Sequence, residues 1–111
     1  MARRDYLGEF ELVVMLGLAR LDEEAYGMTI FEEIHEVTGR DLSIPAVYVT
    51  LNRLEKKGYV SSRTGESTVQ RGGRAKKYYR LTPDGTAALE ASQNMLDLLW
   101  QGVRLKAEPS K

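Results

Sequence analysis

The chain has few of the side chains on which catalytic and metal sites depend. Its 111 residues include no cysteine and one histidine, His35. The lack of cysteine excludes disulfides, thiolate nucleophiles and cysteine-based zinc sites. No glycine-rich phosphate loop followed by lysine and serine or threonine is present. With so few catalytic groups available, we expect neither an enzyme nor a cofactor.

The acidic residues around His35 do not change this expectation. Glu32, Glu33 and Glu36 lie beside it in sequence. Acidic clusters on one short helix are far more often a solvated face than a metal site. We therefore expect no bound metal.

Long hydrophobic runs are also missing. The longest, Leu12 to Ala19, is far shorter than the roughly 20 residues that cross a bilayer, so no membrane span is expected. Nothing near Met1 resembles a signal peptide, and we expect a cytoplasmic protein. A hydrophobic content of 42% in this length is enough for one modest core.

The net charge is zero, but the charges are unevenly distributed. Between Leu51 and Arg80 there are nine Lys or Arg and two acidic residues, which gives this segment a charge of +7. Residues 1–50 carry −6 and residues 81–111 carry −1. A polyanion would therefore meet one positive face on a neutral protein.

Hydrophobic spacing predicts two helices in the acidic N-terminal part. From Tyr6 to Leu21 the apolar residues form a stripe wider than one helical face. In so small a domain, we expect another subunit to cover part of this surface. A second helix is predicted from Tyr26 to Val37, with Gly39 as its C-cap.

A third helix is predicted to start at Ser43 and to run to Lys57. Ser43 is a good N-cap, and Pro45 fits the first turn. The spacing of Val47, Leu51 and Leu54 directs these three side chains to the core. The outer face is then small, polar and basic, with Pro45, Ala46, Val49, Asn52, Arg53 and Lys56. A plain surface helix would usually mix acids with bases, whereas here the only acid is Glu55, toward the edge.

Two short strands, Tyr59 to Thr64 and Lys76 to Leu81, are predicted to follow this helix. The basic, glycine-bearing stretch from Arg71 to Lys77 lies at their junction. A basic helix followed by such a hairpin is the order of a helix-turn-helix reading helix and its wing. The basic residues of the wing would lie against DNA phosphates.

A fourth helix is predicted from Pro83 to about Leu105, with Thr82 as its cap. Its apolar stripe is longer than the small core can cover, so we expect a partner for it. The stripe consists of Leu89, Met95, Leu96, Leu99, Trp100 and Val103.

From about Leu7 to Gly85 the chain resembles the PadR-like family of winged-helix transcriptional regulators. Three motifs carry the resemblance: Tyr26-Gly27, Ala46-Val47-Tyr48 with the segment Leu51 to Gly58, and the segment Gly72 to Thr82. The expected fold is mainly α with a small β-wing (α+β). It has three N-terminal helices, a two-stranded wing and a long C-terminal dimerisation helix.

The resemblance implies that Tyr48 contacts the DNA backbone and that Arg74, Lys76 and Lys77 hold phosphates. Asn52 and Arg53 could pair with adenine and guanine edges. The complete predicted DNA-binding set is Ser43, Pro45, Ala46, Tyr48, Val49, Asn52, Arg53, Lys56, Arg74, Lys76 and Lys77.

The single C-terminal helix resembles that of the family's short subclass, in which it crosses its twin and packs on helix 1 of the partner. This implies a homodimer through helices 1 and 4. Some short members bind flat aromatic molecules between the two C-terminal helices. Met95, Leu96, Leu99 and Trp100 would line such an effector site, although such residues on an apolar stripe more often only pack.

These observations predict a DNA-binding domain over residues 1–82, a dimerisation helix over 83–106 and a disordered tail over 107–111. The expected function is a homodimeric repressor of transcription, bound to operator DNA and released by a small hydrophobic or aromatic effector. The alternative is a winged helix used only for protein–protein interaction, since fold alone does not fix function. The concentration of +7 on one helix and wing favours DNA.

Overall fold

The computed structural model describes residues 6–65 and 76–105. Its elements are α1 (Glu9–Ala19), α2 (Gly27–Thr38), α3 (Ile44–Lys56), β1 (Val60–Thr64), β2 (Lys77–Leu81) and α4 (Pro83–Trp100). A short 3-10 helix, Asp22–Glu24, links α1 to α2. Three helices, a two-stranded sheet and a longer last helix follow in the predicted order, so the predicted fold class is confirmed.

The predicted helix caps form as hydrogen bonds. The side-chain oxygen of Ser43 accepts from the Ala46 N–H at 3.2 Å, and that of Thr82 accepts from the Gly85 N–H at 3.0 Å. Gly39 ends α2 with a φ of 71°, a left-handed conformation that glycine adopts without strain. These caps fix where the helices that flank the sheet begin and end.

Two helices are shorter than the sequence predicts. Helix α1 begins at Glu9 rather than Tyr6, because the Glu11 carboxylate accepts the Gly8 N–H at 3.0 Å and makes Gly8 the cap. Helix α4 ends at Trp100 rather than Leu105. The chain turns at Gly102, whose φ is 76°, although the apolar spacing continues beyond it.

The hydrophobic core lies between α1, α2, α3 and the sheet. Its buried members are Val14, Met15, Leu18, Ala25, Ile30, Ile34, Val47, Leu51, Leu54, Val60 and Tyr79. Val47, Leu51 and Leu54 are fully buried, as their spacing predicts. Helix α4 adds no buried hydrophobic residue to this cluster, and only Leu89 packs partly against it. Most of α4 therefore stands outside the core.

The sheet is attached to the start of α2. Strands β1 and β2 are antiparallel, with Val60 opposite Leu81 and Thr64 opposite Lys77. The Tyr79 N–H donates to the Ala25 carbonyl at 2.8 Å, just before α2. This contact holds the hairpin beside the helix pair α2 and α3. None of the described helices is long and apolar enough to span a membrane.

Candidate nucleic-acid interface

The outer surface of α3, here called the α3 face, carries the side chains that the sequence predicts. Pro45, Val49, Asn52, Arg53 and Lys56 are exposed, and Ala46 is half-buried. The opposite side of the helix is fixed in the core by fully buried apolar residues. The prediction that this face points outward is confirmed.

Apolar side chains are exposed on the same surface. The exposed fraction of Val49 is 56%, and Ile44 in the first turn of α3 is also exposed. An exposed valine beside Asn52 and Arg53 gives the α3 face both apolar and hydrogen-bonding groups. In DNA, thymine offers a methyl group in the major groove, while the other base edges offer donors and acceptors. The α3 face thus exposes both kinds of group, apolar and hydrogen-bonding, that can contact the base edges of a major groove.

Tyr48 lies beside this face and packs on the first residue of α2. A Cβ atom at Gly27 would collide with the Tyr48 ring. The end of the Tyr48 ring thus occupies the space that a side chain at position 27 would take, which gives one physical reason for both Tyr26-Gly27 and Tyr48 in the sequence motif. Tyr48 as a whole remains 41% exposed.

The basic residues at the C-terminal end of α3 differ in whether they are paired with an acidic residue. Among residues 6–65 and 76–105, neither Arg53 nor Lys56 forms an ion pair. Lys57 instead donates to the Glu11 carboxylate of α1 at 2.9 Å. Burial raises the pKa of Glu11, but the hydrogen bonds from Lys57 and the Gly8 N–H outweigh it and leave this pKa lowered. Lys57 thus anchors the end of α3 to α1, while Arg53 and Lys56 remain available.

An aromatic cluster lies at the root of the wing. The rings of Tyr26 and Tyr78 meet edge to face with centroids 5.4 Å apart. The Lys76 ammonium lies 3.1 Å from the Tyr26 hydroxyl, and the Arg63 guanidinium lies 4.7 Å from the centroid of the Tyr78 ring. Lys76, the residue before β2, therefore lies beside Tyr26 at the start of α2. The predicted phosphate contact Arg74, with the rest of 66–75, lies outside the described residues.

Lys77 is paired with an acidic residue of α3. Its ammonium lies 3.2 Å from one Glu55 carboxylate oxygen, and Ser62 donates to the other oxygen at 2.6 Å. The Ser62 hydrogen bond and the Lys77 ammonium lower the pKa of Glu55, and the Glu55 carboxylate raises the pKa of Lys77. In the sequence Glu55 is only the lone acid of a basic helix, and this contact with Lys77 cannot be predicted from it.

The residues of the predicted effector site lie on the exposed part of α4. Met95 is half-buried, while Leu96, Leu99 and Trp100 are exposed. The exposed fractions of Leu99 and Trp100 are 65% and 58%. On α1, Leu16 is exposed as well, in a groove between α1 and α4. The surplus apolar surface predicted for both helices is therefore present.

No group of three or more His, Asp or Glu that could hold a metal occurs in residues 6–65 and 76–105. His35 is exposed, and its Nδ1 lies 3.4 Å from an Asp41 carboxylate oxygen. The Glu33 carboxylate is paired with Arg20 at 2.8 Å. Glu33 and His35 thus have partners on this acidic surface.

The helix order, the hairpin and the outward basic α3 face define a winged-helix protein. The model of the transcriptional regulator PadR-like family matches residues 15–91. The chain belongs to this family of transcriptional regulators.

Solved structures of the family are similar over most of this chain. A PadR family transcriptional regulator from Eggerthella lenta has a TM-score of 0.68 and 28% identity, and the match covers 85% of this chain and 81% of that one. A PadR-like transcription factor from Bacteroides fragilis has a TM-score of 0.66 and 30% identity, with coverage of 83% and 86%. For a PadR family regulator from Clostridium difficile the values are 0.66 and 27%, with coverage of 85% and 93%. No curated protein sequence matches the chain.

Proposed function

We propose that the protein is a homodimeric, sequence-specific DNA-binding repressor that acts in the cytoplasm. The observation that carries this proposal is the α3 face, where Arg53 and Lys56 are exposed beside Asn52 and form no ion pair with any described residue. Basic side chains that form no ion pair can neutralise DNA phosphates without first losing an acidic partner. Membership of a family of transcriptional regulators supports the same function.

We assign different roles to the two ends of α3 and to the wing. Val49, Asn52 and Arg53 would face base edges, with the valine against thymine methyl groups. Lys56 and Tyr48 would contact the phosphate backbone, joined by Lys76 and Arg74 from the wing. The start of the helix, with Ser43, Pro45 and Ala46, would approach a phosphate through the exposed Ser43 side chain, since the Ala46 N–H is already bonded to it.

The rival function is a winged helix that binds only proteins. A protein-binding surface has no need for seven net positive charges on one helix and wing, whereas a phosphate backbone does. Titration with a labelled scrambled duplex at low salt distinguishes the two, because a DNA-binding surface binds any duplex electrostatically under these conditions, whereas a surface that binds only proteins does not. Because the charge distribution fits a phosphate backbone, we favour DNA as the partner.

Selection from a pool of random duplexes tests the proposal. Repeated capture by the purified protein should enrich an inverted repeat whose half-sites are about one helical turn apart. This spacing follows from two reading helices related by the two-fold axis of a dimer. A direct repeat or a single half-site would contradict the dimeric arrangement, and no enrichment at all would contradict sequence-specific binding.

The dimer that we propose forms through α1 and α4. Exposed apolar residues occur on both helices, including Leu16, Leu96 and Leu99. A second copy would remove these side chains from water, with a favourable free energy of roughly 25 cal/mol for each Å² of apolar area. The fourth helix would then set the distance between the two α3 faces.

We further propose that a flat hydrophobic effector binds between the paired α4 helices, near Met95 and Trp100. Such a ligand would alter DNA affinity only if it bound one helix arrangement more tightly than the other. Trp100 is the only tryptophan, so its fluorescence reports this site directly. Planar aromatic dyes should quench it and release selected operator DNA. Quenching with unchanged DNA affinity would leave the dimer without this form of control.

A further inference from the structure

We propose that Glu55 withholds Lys77 from DNA phosphates and so lowers affinity for non-operator DNA, an inference that rests on the proposed DNA-binding function. Glu55 is then a positioning residue that acts through Lys77. Non-specific affinity for DNA comes almost entirely from phosphate neutralisation. A lysine removed from that set lowers non-specific binding and leaves the base contacts of α3 intact, so that a larger share of the total affinity comes from those base contacts.

The geometry around Glu55 supports this role. One carboxylate oxygen lies 3.2 Å from the Lys77 ammonium of β2, and the other accepts from the Ser62 hydroxyl of β1 at 2.6 Å. The carboxylate is thus held by both strands of the hairpin at once. The Lys77 ammonium also lies 5.6 Å from the centroid of the Tyr79 ring. A fixed carboxylate and an aromatic ring together keep this lysine at the root of the wing.

The cost of breaking the pair has two parts. Separating a partly exposed lysine from a carboxylate has a small cost. After separation, the Glu55 carboxylate would remain beside the phosphate that Lys77 contacts, and these like charges repel. Both reduce the gain from a phosphate contact by Lys77. Lys56, on the same helix, has no such competitor among residues 6–65 and 76–105.

A double-mutant cycle tests the inference in the full chain. The variants are Lys77→Met, Glu55→Gln and the double variant, and the probe is a labelled duplex of scrambled sequence titrated over a range of KCl concentrations. Glu55→Gln keeps the shape and can still accept from Ser62. Because Lys77→Met removes the same charge in both backgrounds, the comparison cancels general electrostatic effects.

Lys77→Met should weaken binding only slightly in the native background, through the general loss of one positive charge. In the Glu55→Gln background the same change should weaken binding several-fold. It should also reduce the slope of log K against log salt by about 0.9 for each subunit in contact with the duplex. Lys56→Met is the matched control, and its cost should be equal in both backgrounds. Glu55→Ala, with its high helix propensity, repeats the cycle if Glu55→Gln unfolds.

An equal cost for Lys77→Met in both backgrounds would overturn the inference, because Glu55 would then have no influence on this lysine. If wild type showed no salt-dependent binding and Lys56→Met had no effect, the proposed DNA-binding function would fail instead. The two failures are therefore distinguishable in one set of titrations.

Discussion

Replacing Leu99 with aspartate is expected to convert the dimer into folded monomers. The Leu99 side chain is 65% exposed in the single chain and lies beside the exposed Leu98 and Trp100. In the proposed dimer, the substitution would bury two carboxylates without partners, at a cost of several kcal/mol per dimer. Sedimentation velocity over a range of protein concentrations measures the result.

The matched control is Thr86→Asp, which adds the same charge to an exposed position in the first turn of α4. It should remain a dimer, since a negative charge near a helix N-terminus is favourable. The core contains no buried hydrophobic residue of α4, so Leu99→Asp should retain its circular dichroism spectrum. A folded Leu99→Asp variant that sedimented as the wild-type dimer would exclude this surface as the interface.

The second large effect is expected for Gly85→Ala, which should destabilise the junction between the sheet and α4. A Cβ atom at Gly85 would collide with the backbone carbonyl of Tyr59. No side-chain rotation can relieve this collision, because the carbonyl belongs to the main chain. Thr82 fixes the same junction by donating from its hydroxyl to the Gly58 carbonyl at 2.6 Å.

Overpacking typically costs roughly 1–3 kcal/mol, and we expect Gly85→Ala to lower the free energy of unfolding by at least this amount. The thermal midpoint should then fall by about 4–8 °C for each kcal/mol. Thr86→Ala, at the next and exposed position, should stay within about 0.5 kcal/mol of wild type. Equal midpoints for the two variants would show that the Tyr59 carbonyl moves aside without cost.

The outer face of α3 could be predicted because each relevant signal is local. Ser43 caps the helix, Gly58 follows its end, and a regular spacing of apolar residues separates inside from outside. The end of α4 could not be predicted from apolar spacing. That spacing continues to Val103, but the backbone turns at Gly102 into a left-handed conformation.

The ion pairs of Lys57 and Lys77 could not be predicted from the sequence. Lys57 meets Glu11 across 46 residues, and this contact depends on how α1 packs against α3. Lys77 meets Glu55 only because the β2 register brings it beside the end of α3. A count of basic residues treats Lys57 and Lys77 like Lys56, although their surroundings differ. The tertiary fold decides which positive charges are free.

The central claim is that the α3 face binds DNA, and the salt dependence of duplex binding tests it most directly. Arg53→Ala with Lys56→Ala should weaken binding, and the lost Lys56 phosphate contact should reduce the slope of log K against log salt by about 0.9 per bound subunit. The control is Arg20→Ala with Arg40→Ala, which removes the same number of positive charges. These two arginines are paired with Glu33 and Glu9. The control should leave the slope unchanged. Equal slopes for the two double variants would contradict the account.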